Sequence, residues 1–174
     1  MKVLIDTSVW SQALRRPSAQ SSSAAQEVLV SELKELIHDG RIAMLGPVRQ
    51  ELLSGVKTQK QFEALKQILS AFSDEPVRME DYELAAKNFN QCRQGGVQGS
   101  NTDFLICAVS MSRGWPIYSL DRDFEQYQAF GLATLPCLTQ KITNLGIYPS
   151  VREIRIRDIP MAHSYSESTW LFMH

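Results

Sequence analysis

The chain has little that would commit it to a membrane, a secreted scaffold or a polyanion. Its 174 residues include only three cysteines, Cys92, Cys107 and Cys137. They are odd in number, far apart and without zinc-type spacing. That excludes a disulfide framework and leaves reduced thiols in a cytoplasmic setting as the expectation. No apolar stretch approaches the ~18 residues needed to cross a bilayer. The opening residues lack the basic and apolar regions of a secretory leader, so a cytoplasmic protein with no membrane partner is expected. Net charge is nearly absent: 18 basic side chains face 19 acidic ones. Composition therefore announces no general affinity for nucleic acid, although a local basic rim remains compatible with it. Internal repeats and low-complexity tracts are also missing.

Hydrophobic residues make up 44% of the chain, enough to build the core of one domain. The short apolar run Val3-Leu4-Ile5 reads as a strand buried on both faces. A helix is expected over 7–16, stopped by Pro17, and the serine-rich loop after it supplies an N-cap for a helix over 24–38. RIAMLG reads as a second strand. Pro47 suits the start of the following helix and Gly55 its end. Amphipathic spacing predicts helices over 59–72 and 79–94, the latter with Tyr82, Ala85, Ala86 and Phe89 on one face, and a short strand at VRM (77–79) between them. After the glycine-rich loop GGVQGSN, a helix over 102–112 is capped by Asn101 or Thr102 and ends at Gly114. PIYSL is a further strand, DRDFEQYQAFG a short helix or turn, and LATLP a last strand. Strands alternating with helices imply an α/β fold with a central parallel sheet flanked by helices. Residues 1–136 read as that domain. Residues 137–174 read as a C-terminal extension without a catalytic pattern.

Four acids fall where the chain leaves those strands. Asp6 ends the first strand, Glu51 lies on the helix after the second, Asp103 sits in a first helical turn, and Asp121 directly follows PIYSL. Each has an ordinary reading. Asp6, Asp121 and Asp123 suit turns or caps, Glu51 a solvated helix face, and Asp103 a partner of the helix dipole. Jointly they say more, because the carboxyl ends of parallel strands lie on one edge, where open α/β sheets bind ligands. Carboxylates gathered there disfavour one another's ionisation unless a cation is present. An all-oxygen donor set selects Mg²⁺ or Mn²⁺ over zinc, and His38, His163 and His174 stand outside these motifs. Such an ion activates water and neutralises charge in phosphodiester hydrolysis.

LIDTSVW, PVRQELLSG and GGVQGSNTDFLICAVSMSRGWPIYSLDRDF, in that order, resemble the PIN-domain nucleases, most closely the VapC-type toxins of toxin–antitoxin pairs. The resemblance covers about residues 1–136. It implies a metal-dependent endoribonuclease, a homodimer, and a cognate antitoxin that occludes the active site, with tRNA or another structured RNA as substrate. It also implies that Asp6, Glu51, Asp103 and Asp121 are catalytic metal ligands. Thr7 or Ser8 would orient water or phosphate, Ser119 would hold the fourth acid's loop, and Asp123 would play a supporting role. The segment beyond LATLP departs from the toxin pattern.

Arg15, Arg16, Arg49, Lys57, Arg113 and Arg122 lie near the motifs, where they could hold phosphates or be ordinary surface. Trp10 suits base stacking or, more simply, packing. Two readings compete with a toxin: a housekeeping RNA-processing PIN nuclease, and a PIN domain that binds RNA or protein without cutting. A haloacid-dehalogenase-type phosphatase needs a second Asp two positions after the first. Ser8 occupies that place.

Overall fold

The computed structural model describes residues 1–14 and 24–132. Among them the elements run β1 (Val3–Ile5), α1 (Thr7–Ala13), α2 (Ala24–His38), β2 (Ile42–Ala43), α3 (Gly46–Ser54), α4 (Gln59–Leu69), α5 (Met79–Gln94), α6 (Asn101–Arg113), β3 (Ile117–Tyr118) and α7 (Asp123–Ala129). The strands pair in parallel in the order β2-β1-β3. This is the α/β arrangement that alternating strands and helices imply. LATLP after Leu132, residues 15–23 and the extension 137–174 lie outside the described residues.

Strand β1 is the middle of the sheet. Leu4 stands opposite Ala43 on one side and Ile117 on the other. Val3, Leu4 and Ile5 are all buried, which is why the run does not alternate with polar residues. The ladder extends one residue further, because the Asp6 N–H donates to the Tyr118 carbonyl at 3.0 Å. All three strands point the same way, so the chain leaves them on one edge, into α1, into α3 and into the turn at 119–122.

The most enclosed helix is α6, with Phe104 through Ser110 buried without a break. A helix apolar all round belongs inside a core. It ends at Gly114, whose φ of 62° lies in the left-handed region, where a side chain would cost roughly 1–2 kcal/mol. Its N-cap is Ser100, one residue before Asn101 and two before Thr102, the expected caps.

Other differences have visible causes. The strand expected at 77–79 is absent: Met79 opens α5, and the pairing lies earlier, as a parallel bridge between Met44 and Asp74. Pro76 has no N–H, so the ladder cannot run on past Glu75. Helix α4 stops at Leu69 rather than 72. There the Arg49 guanidinium takes the Leu69 and Phe72 carbonyls at 2.8 and 2.5 Å. The buried stripe of α5 is Asp81, Ala85, Asn88 and Cys92, so Tyr82 and Ala86 face outward. Asp81 turns inward because Arg113 meets it at 3.1 Å, with the arginine stacked over Trp115. Helix α1 ends at Ala13.

Candidate active site at the carboxyl edge of the sheet

Asp6 is the first residue past β1 and the N-cap of α1. Only 5% of it is exposed. Its Oδ2 accepts hydrogen bonds from the Ser8 N–H (3.2 Å), the Ser8 hydroxyl (2.5 Å) and the Ser119 hydroxyl (2.8 Å). Burial raises its pKa against the lowering effect of those donors. The same two hydroxyls reach across to the turn after β3. Ser8 Oγ accepts the Leu120 N–H at 3.0 Å, and Ser119 Oγ accepts the Asp121 N–H at 2.9 Å. The serines thus tie Asp6 to the backbone that presents Asp121.

Asp121 in turn accepts the Asp123 N–H at 3.0 Å, and Asp123 accepts from Gln126. Burial and the Asp121 charge push the Asp123 pKa up. Glu51, exposed on α3, is drawn toward the first motif by Thr7, whose hydroxyl donates to Glu51 Oε2 at 2.6 Å. The three hydroxyls at 7, 8 and 119 therefore act on the carboxylates themselves.

Asp103 is the third residue of α6 and half of a capping box. Its Oδ2 accepts the Ser100 N–H, and its own N–H donates to Ser100 Oγ, both at 3.0 Å. Its pKa is pushed up to about 6, chiefly by burial. The Ser100 hydrogen bonds pull the other way, and the charges of Asp6 and Asp121 add to the rise. Those two influences link Asp103, Asp6 and Asp121 in one electrostatic cluster, with Glu51 attached through Thr7.

Among the described residues, no three Asp, Glu, His or Cys side chains are grouped closely enough to enclose an ion by themselves. The donor set nevertheless fits a hard divalent ion. It offers oxygen alone and includes a carboxylate held by hydroxyls. Mg²⁺ commonly takes only one or two carboxylates and completes its shell with water and phosphate.

Arg49, Arg113 and Lys2 serve the fold. Arg49 binds Asp74 with Nε and Nη2, as well as the Leu69 carbonyl at the end of α4 and the Phe72 carbonyl beyond it. Arg113 is held by Asp81 and the Pro76 carbonyl, and Lys2 by Glu75. Arg49 and Arg113 are therefore internal braces rather than the phosphate holders that their sequence positions allowed. Trp10 is fully buried, edge-on to Phe72 with ring centroids 5.0 Å apart. It packs the core and is not available to stack on a base. Arg15 and Arg16 lie outside the described residues.

Two residues at this edge escaped sequence reasoning. Ser100 was legible, since Ser-x-x-Asp ahead of an apolar run is a capping-box pattern. Tyr127 was not. Its hydroxyl lies 3.4 Å from Asp103 Oδ2, and its only sequence signal is the three-residue spacing of Phe124, Tyr127 and Phe130.

Comparison with known proteins bears on this arrangement. No curated protein matches the sequence significantly. Among solved structures, VapBC2 from Rickettsia felis, bound to a DNA fragment from its promoter, aligns with a TM-score of 0.61. The two share 16% identity over 78% of this chain and 98% of that one. FitAcB from Neisseria gonorrhoeae aligns with a TM-score of 0.59 and 20% identity, over 77% of this chain and 96% of that one. At these identities the likeness speaks for the fold. The sequence model of the PIN domain matches residues 3–129, a span that holds all four acids. The chain belongs to the PIN domain family.

Proposed function

We propose that this chain is a Mg²⁺- or Mn²⁺-dependent endoribonuclease that acts as the toxin of a toxin–antitoxin pair. PIN domains are nucleases, so family membership supports hydrolysis of a phosphodiester. The observation that carries the reading is the family match over residues 3–129, the span of all four acids, together with the serine hydroxyls that join Asp6 to the turn of Asp121. Around Asp103, two other carboxylates, one of them nearly inaccessible, are near enough to help raise its pKa to about 6. Helix capping alone gives no reason to gather like charges, whereas a bound cation does.

In this reading Asp6, Glu51, Asp103 and Asp121 hold the ion. When bound, it supplies an activated water and neutralises charge developing on the phosphate. The chain's other groups keep the acids in place. Ser8 and Ser119 donate to Asp6, Thr7 donates to Glu51, and the backbone N–H of Asp123 donates to the Asp121 carboxylate. RNA is the substrate, tRNA or another structured RNA included. The fold shared with VapBC2 supports an antitoxin as partner, and the VapC-type resemblance carries a homodimer with it.

The test is incubation of purified protein with a mixed RNA pool that includes tRNA, with Mg²⁺ or Mn²⁺. Discrete cuts that disappear with EDTA and in a folded Asp6→Asn variant support the reading. Cuts that persist in both, or no cuts from antitoxin-free protein with either metal, overturn it.

A further inference from the structure

We propose that the hydroxyl of Tyr127 is a positioning group for Asp103, seated for that role by Gly99. The inference rests on the metal-dependent reading above and adds a residue to it. Tyr127 lies on α7 and is fully buried, as is Phe124. Its ring packs against Phe104, the residue after Asp103, with centroids 4.9 Å apart, and against Phe124 at 5.4 Å. Packing alone would be met by phenylalanine. The hydroxyl needs a separate reason, because an enclosed polar group without partners is costly.

Its single proton is shared between two acceptors, the Gln98 carbonyl at 3.3 Å and Asp103 Oδ2 at 3.4 Å. The loop is shaped to admit it. A Cβ on Gly99 would fall 2.0 Å from the Tyr127 hydroxyl and 2.8 Å from Cζ, although the φ of Gly99 is not in the left-handed region. Glycine is required there for space alone. Gly95 repeats the device, since a Cβ there would fall 2.6 Å from the Phe130 ring.

Two glycine sockets in one loop thus receive two aromatic residues spaced three apart, from α7 and its C-cap. Helix α7 begins at Asp123, two residues after Asp121, and the loop leads into the helix of Asp103. Tyr127 therefore fixes one acid-bearing segment against the other. Asp103 Oδ2 thus faces two donors, the Ser100 N–H and the phenol proton that Gln98 shares.

The test uses the full chain, with Mn²⁺ binding followed by calorimetry and RNA cleavage followed across a Mn²⁺ series. Tyr127→Phe keeps the ring and removes the donor. Its expected Mn²⁺ affinity is about tenfold lower, the low end for losing a partner of a ligating carboxylate. Cleavage should recover at high Mn²⁺, with Tm within a few degrees of native. Gly99→Ala, which must displace the phenol, should weaken binding in the same way. The double variant should be no worse than the weaker single, because both remove one contact.

Tyr127→Phe with native affinity and cleavage overturns the proposal, and so does a lowered Tm with unchanged Mn²⁺ affinity. If Tyr127→Phe does not fold, Gly99→Ala decides by the same criterion. A native chain that neither binds Mn²⁺ nor cuts RNA instead refutes the proposed function, and the positioning role with it.

Discussion

Replacing Asp103 by Asn separates the two jobs that residue does. The amide oxygen of Asn can still accept the Ser100 N–H, so the capping box survives, while the charge is removed. In the native fold the carboxyl keeps its proton up to about pH 6, against an ordinary 3.8. Between these values the folded chain holds a proton that the unfolded chain has released. Stability therefore falls as pH rises through that window and stays at its lower level above about pH 6. The whole interval corresponds to about 3 kcal/mol at roughly 1.4 kcal/mol per pH unit. Solvent reaches this partly exposed group, and screening reduces the figure to about 1–2 kcal/mol.

Asp103→Asn should accordingly be more stable than native protein at pH 7 without metal. The gain is about 2–4 °C in Tm per kcal/mol for a chain of this size, and it should vanish near pH 4. Excess Mg²⁺ should reverse the order, since it stabilises the native chain and binds the variant poorly. RNA cleavage by the variant should fall by about 10²-fold or more, on the order of 3 kcal/mol in the barrier. Thermal unfolding across pH 4–8 with and without Mg²⁺, beside single-turnover cleavage, reads all of this. A variant that is less stable at pH 7 and cuts normally would show that Asp103 is only a helix cap.

The remaining expectations follow from the supports of the other acids. Ser119→Ala removes a donor to buried Asp6 and the acceptor for the Asp121 N–H. It should cost about 1–3 kcal/mol in denaturant unfolding and lower cleavage by about tenfold or more. Thr7→Val, which frees the exposed Glu51, should leave unfolding within about 0.5 kcal/mol yet raise the Mg²⁺ concentration needed for half-maximal cleavage. Arg113→Met strands Asp81, whose side chain is 4% exposed, and should cost about 3 kcal/mol with cleavage per folded molecule unchanged. If Arg113→Met abolished cleavage in folded protein, its assignment as an internal brace would be wrong.

The three strands among the described residues were legible in the sequence as short apolar runs, unbroken where both faces are buried, as at Val3-Leu4-Ile5. The run at 77–79, by contrast, reads as a further strand and is not one. Helix α6 was legible for a related reason, its apolar stretch being too long for a strand and closed by Gly114. The faces of α5 were not. Apolar count favoured Tyr82 and Ala86, but the buried stripe carries Asp81, and only the distant Arg113 makes that position tolerable. The same blindness to distant partners explains Arg49, which reads as a basic surface residue and in fact closes α4 and pairs with Asp74. At the site, Asp6 and Asp121 stood out by their place directly after strands, and Glu51 by its place on the helix after one. Asp103 instead follows helix α5 and reaches the same edge because α6 runs back toward β3. The hydroxyls that organise them could be named but not assigned, because Thr7 meets Glu51 and Ser119 meets Asp6 across separations of 44 and 113 residues. Tyr127 had no sequence signal beyond apolar spacing, since its partner Asp103 lies on another helix.

Whether these acids form one metal centre is decided by anomalous scattering from crystals soaked in Mn²⁺. A peak is expected at the carboxyl edge of the sheet, about 2–2.5 Å from oxygens of at least two of Asp6, Glu51, Asp103 and Asp121, the range for hard cations on oxygen. The peak should be lost in Asp6→Asn crystals. A peak seated elsewhere, or an empty edge at saturating Mn²⁺, would contradict one shared centre.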